Sequence, residues 1–156
     1  MWTVSRNSLF YTFHFQFMKA QIDMIGIITS QFDEMLTFYR DTMWFEVLLA
    51  MEGSYVEFDN DGVRFAISTN DVMADATWHE SYKQSRSGQS LELAFRMDTP
   101  GAVDSTFMEI ISKGAEPVKR PADMPRGQRA AFFSDPDGNI HEIFADLPKT
   151  SNGYAQ

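Results

Sequence analysis

The sequence holds no cysteine. Disulfides, thiolate metal sites and cysteine nucleophiles are therefore excluded, and the composition fits a reducing compartment such as the cytoplasm. Basic residues are scarce: 13 Lys and Arg stand against 22 Asp and Glu, a formal net charge of −9. Nucleic acid and anionic membranes are bound by basic surfaces, so both are disfavoured as partners. No stretch approaches the roughly twenty apolar residues of a membrane span. Histidine is scarce as well, with His14, His79 and His141 the whole supply. What is abundant is apolar. Of 156 residues, 44% are hydrophobic and 14% aromatic, enough for one ordinary domain with a real core. Ten Met and fourteen Phe exceed what such a core needs, which leaves some to line an adaptable apolar cavity.

Residues 1–17 differ from the rest. Tyr11, Phe13, Phe15 and Phe17 alternate with Thr12, His14 and Gln16, a strand pattern. His14 and Gln16 break the apolar run and no small-residue cleavage site comes after it, so a signal peptide is disfavoured. Met18-Lys19 makes a natural start, and the segment is either an extension outside the domain or an appended edge strand or loose tail. The domain itself is expected over 18–148, with 149–156 a flexible tail.

Along that domain Ile22 to Ile28 is a short apolar run, a buried strand, with Ser30 placed to cap the helix after it. Phe32, Met35, Leu36 and Tyr39 recur at helical spacing over 31–43. Three strand-like runs come next, Trp44 to Met51, Ser54 to Asp59 and Val63 to Ser68, and Asn60-Asp61-Gly62 is a hairpin signal between the last two. Residues 69–88 are polar and aperiodic, a linker or lid with room for a turn of helix. The order then repeats. Ser90 to Met97 reads as a strand, and Thr99-Pro100 as a helix start. Val103, Phe107, Ile110 and Ile111 form the helix stripe, and Gly114 ends it. Ala115 to Lys119 is a strand, Pro121 to Gly127 a loop, and Arg129 to Ser134 and Asn139 to Asp146 are the last two strands. The result is β-α-β-β-β twice, over about 20–70 and 89–147, with a linker at 71–88.

The turn Asp135-Pro136-Asp137-Gly138 joins the last two strands, and Asn139-Ile140-His141-Glu142 comes directly after it. Alternation puts Ile140, Glu142 and Phe144 on one strand face and His141, Ile143 and Ala145 on the other. Glu142 is thus either an edge residue in water or the polar point of a pocket.

The tandem order, the run Phe133-Ser134-Asp135-Pro136-Asp137-Gly138-Asn139 with Glu142 after it, and the Phe38-Tyr39 pair late in the first helix resemble the vicinal oxygen chelate superfamily. This is the group of glyoxalases, bleomycin-resistance proteins and extradiol dioxygenases. The likeness covers roughly residues 20–147. It implies an α+β fold of two βαβββ modules in a curved, partly open mixed sheet, with helices on the convex side and the ligand on the concave side. It also implies a homodimer, and in the enzymes a divalent metal held by inward His or Glu side chains that polarises two substrate oxygens.

Carried over position by position, the family's metal ligands fall at Met24, at Phe65 within one residue, at Glu92 and at Glu142. Two of these cannot bind a hard cation. The remaining carboxylates suit Mg, Mn or Ca better than Zn or Fe, so the expectation is no metal or a weakly bound one. Without metal, Glu92 and Glu142 facing one cavity would resist joint ionisation and serve as an acid–base pair or a cation site. The competing reading neutralises Glu92 by Arg64, Arg96 or Arg129, with Arg96 favoured by strand parity. Expected pocket walls are Met24, Phe65, Phe95 or Phe132, and Phe144, with the 121–127 loop. His79 is either a solvent-facing loop residue or a lid residue reaching the pocket. His141 should pack toward the helix as a structural residue.

Three functions remain in view. The first is a metal-free small-molecule-binding protein of the bleomycin-resistance kind, with a partly acidic pocket. The second is a metal-dependent lyase, isomerase or dioxygenase. The third is a non-catalytic interaction module. Fold alone does not choose among them.

Overall fold

The computed structural model describes residues 21–148, apart from Arg86 and Ser90. The strand pattern over Leu9 to Phe17, the extension 1–17 with His14, and the tail 149–156 lie outside the described residues. The first module runs β1 (Met24–Thr29), α1 (Phe32–Thr37), β2 (Val47–Met51), β3 (Tyr55–Phe58) and β4 (Arg64–Thr69). A π-helical segment, Phe38–Thr42, extends α1. Between the modules lie α2 (Asn70–Thr77) and a short 3₁₀ turn, Glu80–Lys83. The second module runs β5 (Ala94–Arg96), α3 (Pro100–Ser112), β6 (Glu116–Met124), β7 (Gln128–Ser134) and β8 (Ile140–Asp146).

Each module forms one four-stranded mixed sheet, in the orders β1-β4-β3-β2 and β5-β8-β7-β6. In both, the first strand runs parallel to the last, because the helix carries the chain across, and the other neighbours are antiparallel. The repeated βαβββ architecture is therefore present, and the sheets do not close.

The helices form where the apolar stripes are. Phe32, Met35, Phe38 and Tyr39 are buried in the first, and Val103, Phe107 and Ile110 in the second. Thr99 caps α3 by accepting from the Ala102 amide at 3.1 Å, with Pro100 in the first turn where its missing N–H costs nothing. Ser30, expected to cap α1, does not. Gln31 holds that position without a side-chain cap, and the Thr29 hydroxyl accepts from the Gln31 amide instead. The linker is more ordered than its aperiodic sequence implies. Thr69 accepts from the Val72 amide to start α2, a local cap that overrides weak periodicity. β6 runs on to Met124 through the expected Pro121 loop, an edge strand whose two register shifts accommodate the proline.

Strand alternation and core membership define two faces on each sheet. In the first, Ile27, Val56, Phe58, Phe65 and Ile67 pack against α1. Met24, Gly26, Glu57, Tyr55, Arg64 and Ala66 take the opposite, open face by parity. In the second, Ala131, Phe133, Ile143 and Ala145 join the core with α3. Glu142, Phe132, Phe144, Ala94 and Arg96 take the open face. The modules share one core. Phe38 meets Phe133 at 6.2 Å between ring centroids, and Phe45 meets Phe95 at 6.0 Å.

Candidate functional site

The Asp135–Gly138 turn carries Glu142 into place. The Gly138 amide closes it on the Asp135 carbonyl at 2.9 Å, and Gly138 takes φ 81°, a value an L side chain rarely adopts. The Asp135 side chain turns inward and is 4% exposed. Its carboxylate accepts from the Asn139 backbone amide and side-chain amide, each at 2.9 Å. It also accepts from Tyr39 Oη at 3.1 Å and lies 3.1 Å from His141 Nε2. Tyr39 Oη and His141 Nε2 are 2.9 Å apart. Burial alone would raise the Asp135 carboxyl, but hydrogen bonds from His141 and Asn139 outweigh it and hold it below the usual value. Burial, then the Asp135 charge, pushes the Tyr39 hydroxyl well up. His141, 0% exposed, sits on the helix side of β8 as its parity requires.

On the other face of β8, Glu142 is paired in register with Ala94 on β5 and Phe132 on β7. Glu92 lies two residues before Ala94, outside β5, which begins later than the Ser90 start its sequence suggests, and its charge acts on Glu142. Burial first, then the Glu92 charge, raises the Glu142 carboxyl, while Arg126 opposes the shift. Phe132 and Phe144 flank it, half-buried. Neither carboxylate has a hydrogen bond or ion pair with any described residue. The three arginines considered as partners are engaged elsewhere. Arg96 pairs with Asp146 and stacks 5.5 Å from the Phe144 ring. Arg64 pairs with Asp23 and Glu57, and Arg129 with Asp104 and Asp123. The Arg96–Glu92 pairing is therefore corrected: β5 and β8 are parallel, and Asp146 lies nearer that end of the sheet.

Three expected pocket residues are placed differently. Phe65 is 5% exposed and packs edge-on against Tyr39 at 5.0 Å, in the core. The open-face positions beside it are Arg64 and Ala66, paired in register with Met24 and Gly26. Phe95 stacks on Phe133 at 6.2 Å and meets His141 edge-on, since Ala94 takes the open face. His79 is exposed and caps the 3₁₀ turn, its Nδ1 accepting from the Ser81 amide at 3.2 Å, so its contacts are local to the linker. Met24 is open-face and 43% exposed, its sulfur 3.9 Å from Tyr55 Oη.

Sequence reasoning missed two features. One is Glu57, which receives the Tyr55 hydroxyl at 3.0 Å and lies 3.4 Å from Arg64. The alternation Tyr55-Val56-Glu57-Phe58 carried that signal, because Val56 and Phe58 are plainly core residues. The other is the Tyr39–Asp135–His141 network, signalled by a tyrosine on a buried helix stripe whose hydroxyl must find a partner. A polar cleft of about 780 Å³ lies between the modules, lined by Gln31, Asn70, Tyr82, Gln89 and Asp137 among others, and it reaches the open-face positions Gly26 and Ile140. Its lining contains neither Glu92 nor Glu142.

The comparisons with known proteins agree with this architecture. The family model for the Glyoxalase/Bleomycin resistance protein/Dioxygenase superfamily matches residues 21–143. The chain belongs to that superfamily. Among solved structures it is similar to a glyoxalase/bleomycin resistance protein/dioxygenase from Nocardioides, with TM-score 0.74 and 22% identity over 89% of this chain and 91% of that one. It is similar to a family enzyme from Burkholderia phytofirmans PsJN, with TM-score 0.74 and 22% identity over 82% of this chain and 100% of that one. It is also similar to a lactoylglutathione lyase from Agrobacterium tumefaciens, with TM-score 0.64 and 21% identity over 81% and 94%. Comparison with curated proteins finds no match. At these identities the likeness shows the fold alone. Among superfamily members the metal is the usual reactive group, but this donor set does not fit it. No group of three or more His, Cys, Asp and Glu suited to a metal occurs among the described residues. The two carboxylates have no imidazole beside them, and Met24 and Ala66 offer no hard ligand. No helix among the described residues is long and apolar enough to cross a membrane.

Proposed function

We propose that this superfamily member is a small-molecule-binding protein whose second-module open face takes a cationic, partly aromatic ligand. The observation that supports this most is the Glu92–Glu142 pair, whose charges act on each other and which has no cationic partner in contact among the described residues. Two carboxylates so placed are stabilised by an incoming positive charge, and Phe132 and Phe144 provide apolar surface beside them. The net charge of −9 adds a long-range attraction for cations. The reading includes a homodimer, for which the first sheet offers a face. β2 is an edge strand with Val47, Leu48, Leu49 and Met51 at 40–63% exposure, an apolar strip that a homodimer would cover.

The test is metal content of the purified protein, together with thermal stabilisation by benzamidinium in the parent and in Glu142→Gln. The expected outcome is no stoichiometric metal and a rise in Tm with benzamidinium that Glu142→Gln removes. One equivalent of divalent metal, lost in Glu142→Gln, would overturn this reading in favour of a metal-dependent lyase, isomerase or dioxygenase.

A further inference from the structure

The segment that leads into β5 is attached to β8 largely by side chains, before the regular ladder begins at Ala94. The Gln89 side-chain amide pairs with both backbone groups of Ile140, donating to its carbonyl at 2.8 Å and accepting from its N–H at 2.9 Å. Further along, the Leu93 amide donates to His141 Nδ1 at 3.1 Å, while the Leu93 carbonyl accepts the Glu142 amide at 2.9 Å. Leu93 is the backbone neighbour of Glu92, and His141 that of Glu142. The Leu93 contact requires the lone pair on Nδ1, so the ring proton belongs on Nε2, facing Tyr39 Oη and Asp135. Every hydrogen-bonding atom of the imidazole is thereby used, and its orientation is fixed from both sides.

We propose that His141 is a positioning residue for the Glu92–Glu142 pair, clamping the segment that carries Glu92 to β8 while Tyr39 of the first module and Asp135 hold its ring. The helix of one module thus sets the spacing of the carboxylates on the other. This builds on the binding role assigned above to that pair, but it is tested without any ligand. The residue is not itself at the open face, so its effect reaches ligand only through backbone placement.

The test compares His141→Leu, His141→Asn and Tyr39→Phe by amide hydrogen exchange and by NOEs between Glu92 and β8. An asparagine Oδ1 lies close to where Nδ1 was and can accept the Leu93 amide, whereas leucine cannot. His141→Leu should accelerate Leu93 exchange about tenfold or more, the loss of one net hydrogen bond, and abolish the Glu92 cross-strand NOEs. His141→Asn should restore both. Tyr39→Phe, which removes one hydroxyl, should fall between and keeps the test open if His141→Leu does not fold. Unchanged Leu93 protection in a folded His141→Leu, or in Tyr39→Phe where His141→Leu does not fold, would overturn the proposal. Failure of His141→Asn to rescue would overturn it too, by making the ring a packing element only. Benzamidinium affinity, measured in parallel, decides the binding role independently.

Discussion

In the first module Glu57 stands beside Ala66 on β4, receives the Tyr55 hydroxyl and lies within reach of Arg64. In the second, Glu142 stands beside Ala94 on β5, and of the two charges that act on it the larger influence is another carboxylate, Glu92, which Arg126 opposes without contact. The strand orders are the same, the helices pack on the same side, and each open face carries a half-buried glutamate. One glutamate is satisfied by its own sheet and the other is not. Topology has been held constant while the charge balance has changed, so the difference between the modules lies in side chains and not in the fold.

The largest effects should fall where the modules are equivalent or joined. Phe38→Ala and Phe107→Ala each empty a ring from a helix stripe buried to 5% or less and should each cost about 3–5 kcal/mol in denaturant unfolding. A cost for one less than half the other would break the equivalence of the two scaffolds. Asp135→Ala strips three hydrogen-bonding groups at the seam, Tyr39, His141 and Asn139, and should cost roughly 3–5 kcal/mol as well. Because the folded Asp135 carboxyl is held low, its contribution is complete above the unfolded value and is lost as pH falls through the folded one. The parent should therefore lose stability on acidification, and Asp135→Ala should lose less over that range.

The equivalence was legible in the sequence because it rests on periodicity. Phe32, Met35 and Tyr39, then Val103, Phe107 and Ile110, declare their helices. The Asp135–Gly138 turn and the face of Glu142 come from turn chemistry and alternation. The difference between the modules was less legible because it rests on register. One residue decides whether Phe65 or Ala66 faces outward, and the hairpin before β4 gives no anchor for that count. Arg96 could be placed on the face of Glu92, but whether it reaches Glu92 or Asp146 depends on which strand lies alongside. The buried network needed contacts between residues about a hundred positions apart, as Tyr39 and His141 are. No local pattern encodes such a pairing.

A smaller effect tests the contrast by sign. Glu57→Gln weakens an ion pair and a charge-assisted hydrogen bond and should destabilise by about 1 kcal/mol. Glu142→Gln should stabilise, by roughly 0.5 kcal/mol near neutral pH once solvent screening is allowed for. The folded Glu142 carboxyl is raised, so its contribution is present below the unfolded value and is lost as pH rises through the folded one. The gain in Glu142→Gln should accordingly vanish in acid. Two substitutions of the same chemistry with opposite signs would sharpen the comparison, whereas equal signs would erase it.

The smallest effect concerns Arg96. Its pair with Asp146 is more than half exposed on both sides, so Arg96→Ala should change stability by less than about 0.5 kcal/mol. Its value lies in what should stay constant. If Arg96 is committed to Asp146 and the Phe144 ring, the raised titration of Glu142 should be the same with alanine there, as read from the Glu142 carboxyl carbon by NMR. If Arg96 instead shares its charge with Glu92, removing it would leave two bare carboxylates and push Glu142 higher still. That result would make the second module a weaker copy of the first, in which Arg64 already serves Glu57, and would remove the charge imbalance on which the binding role depends.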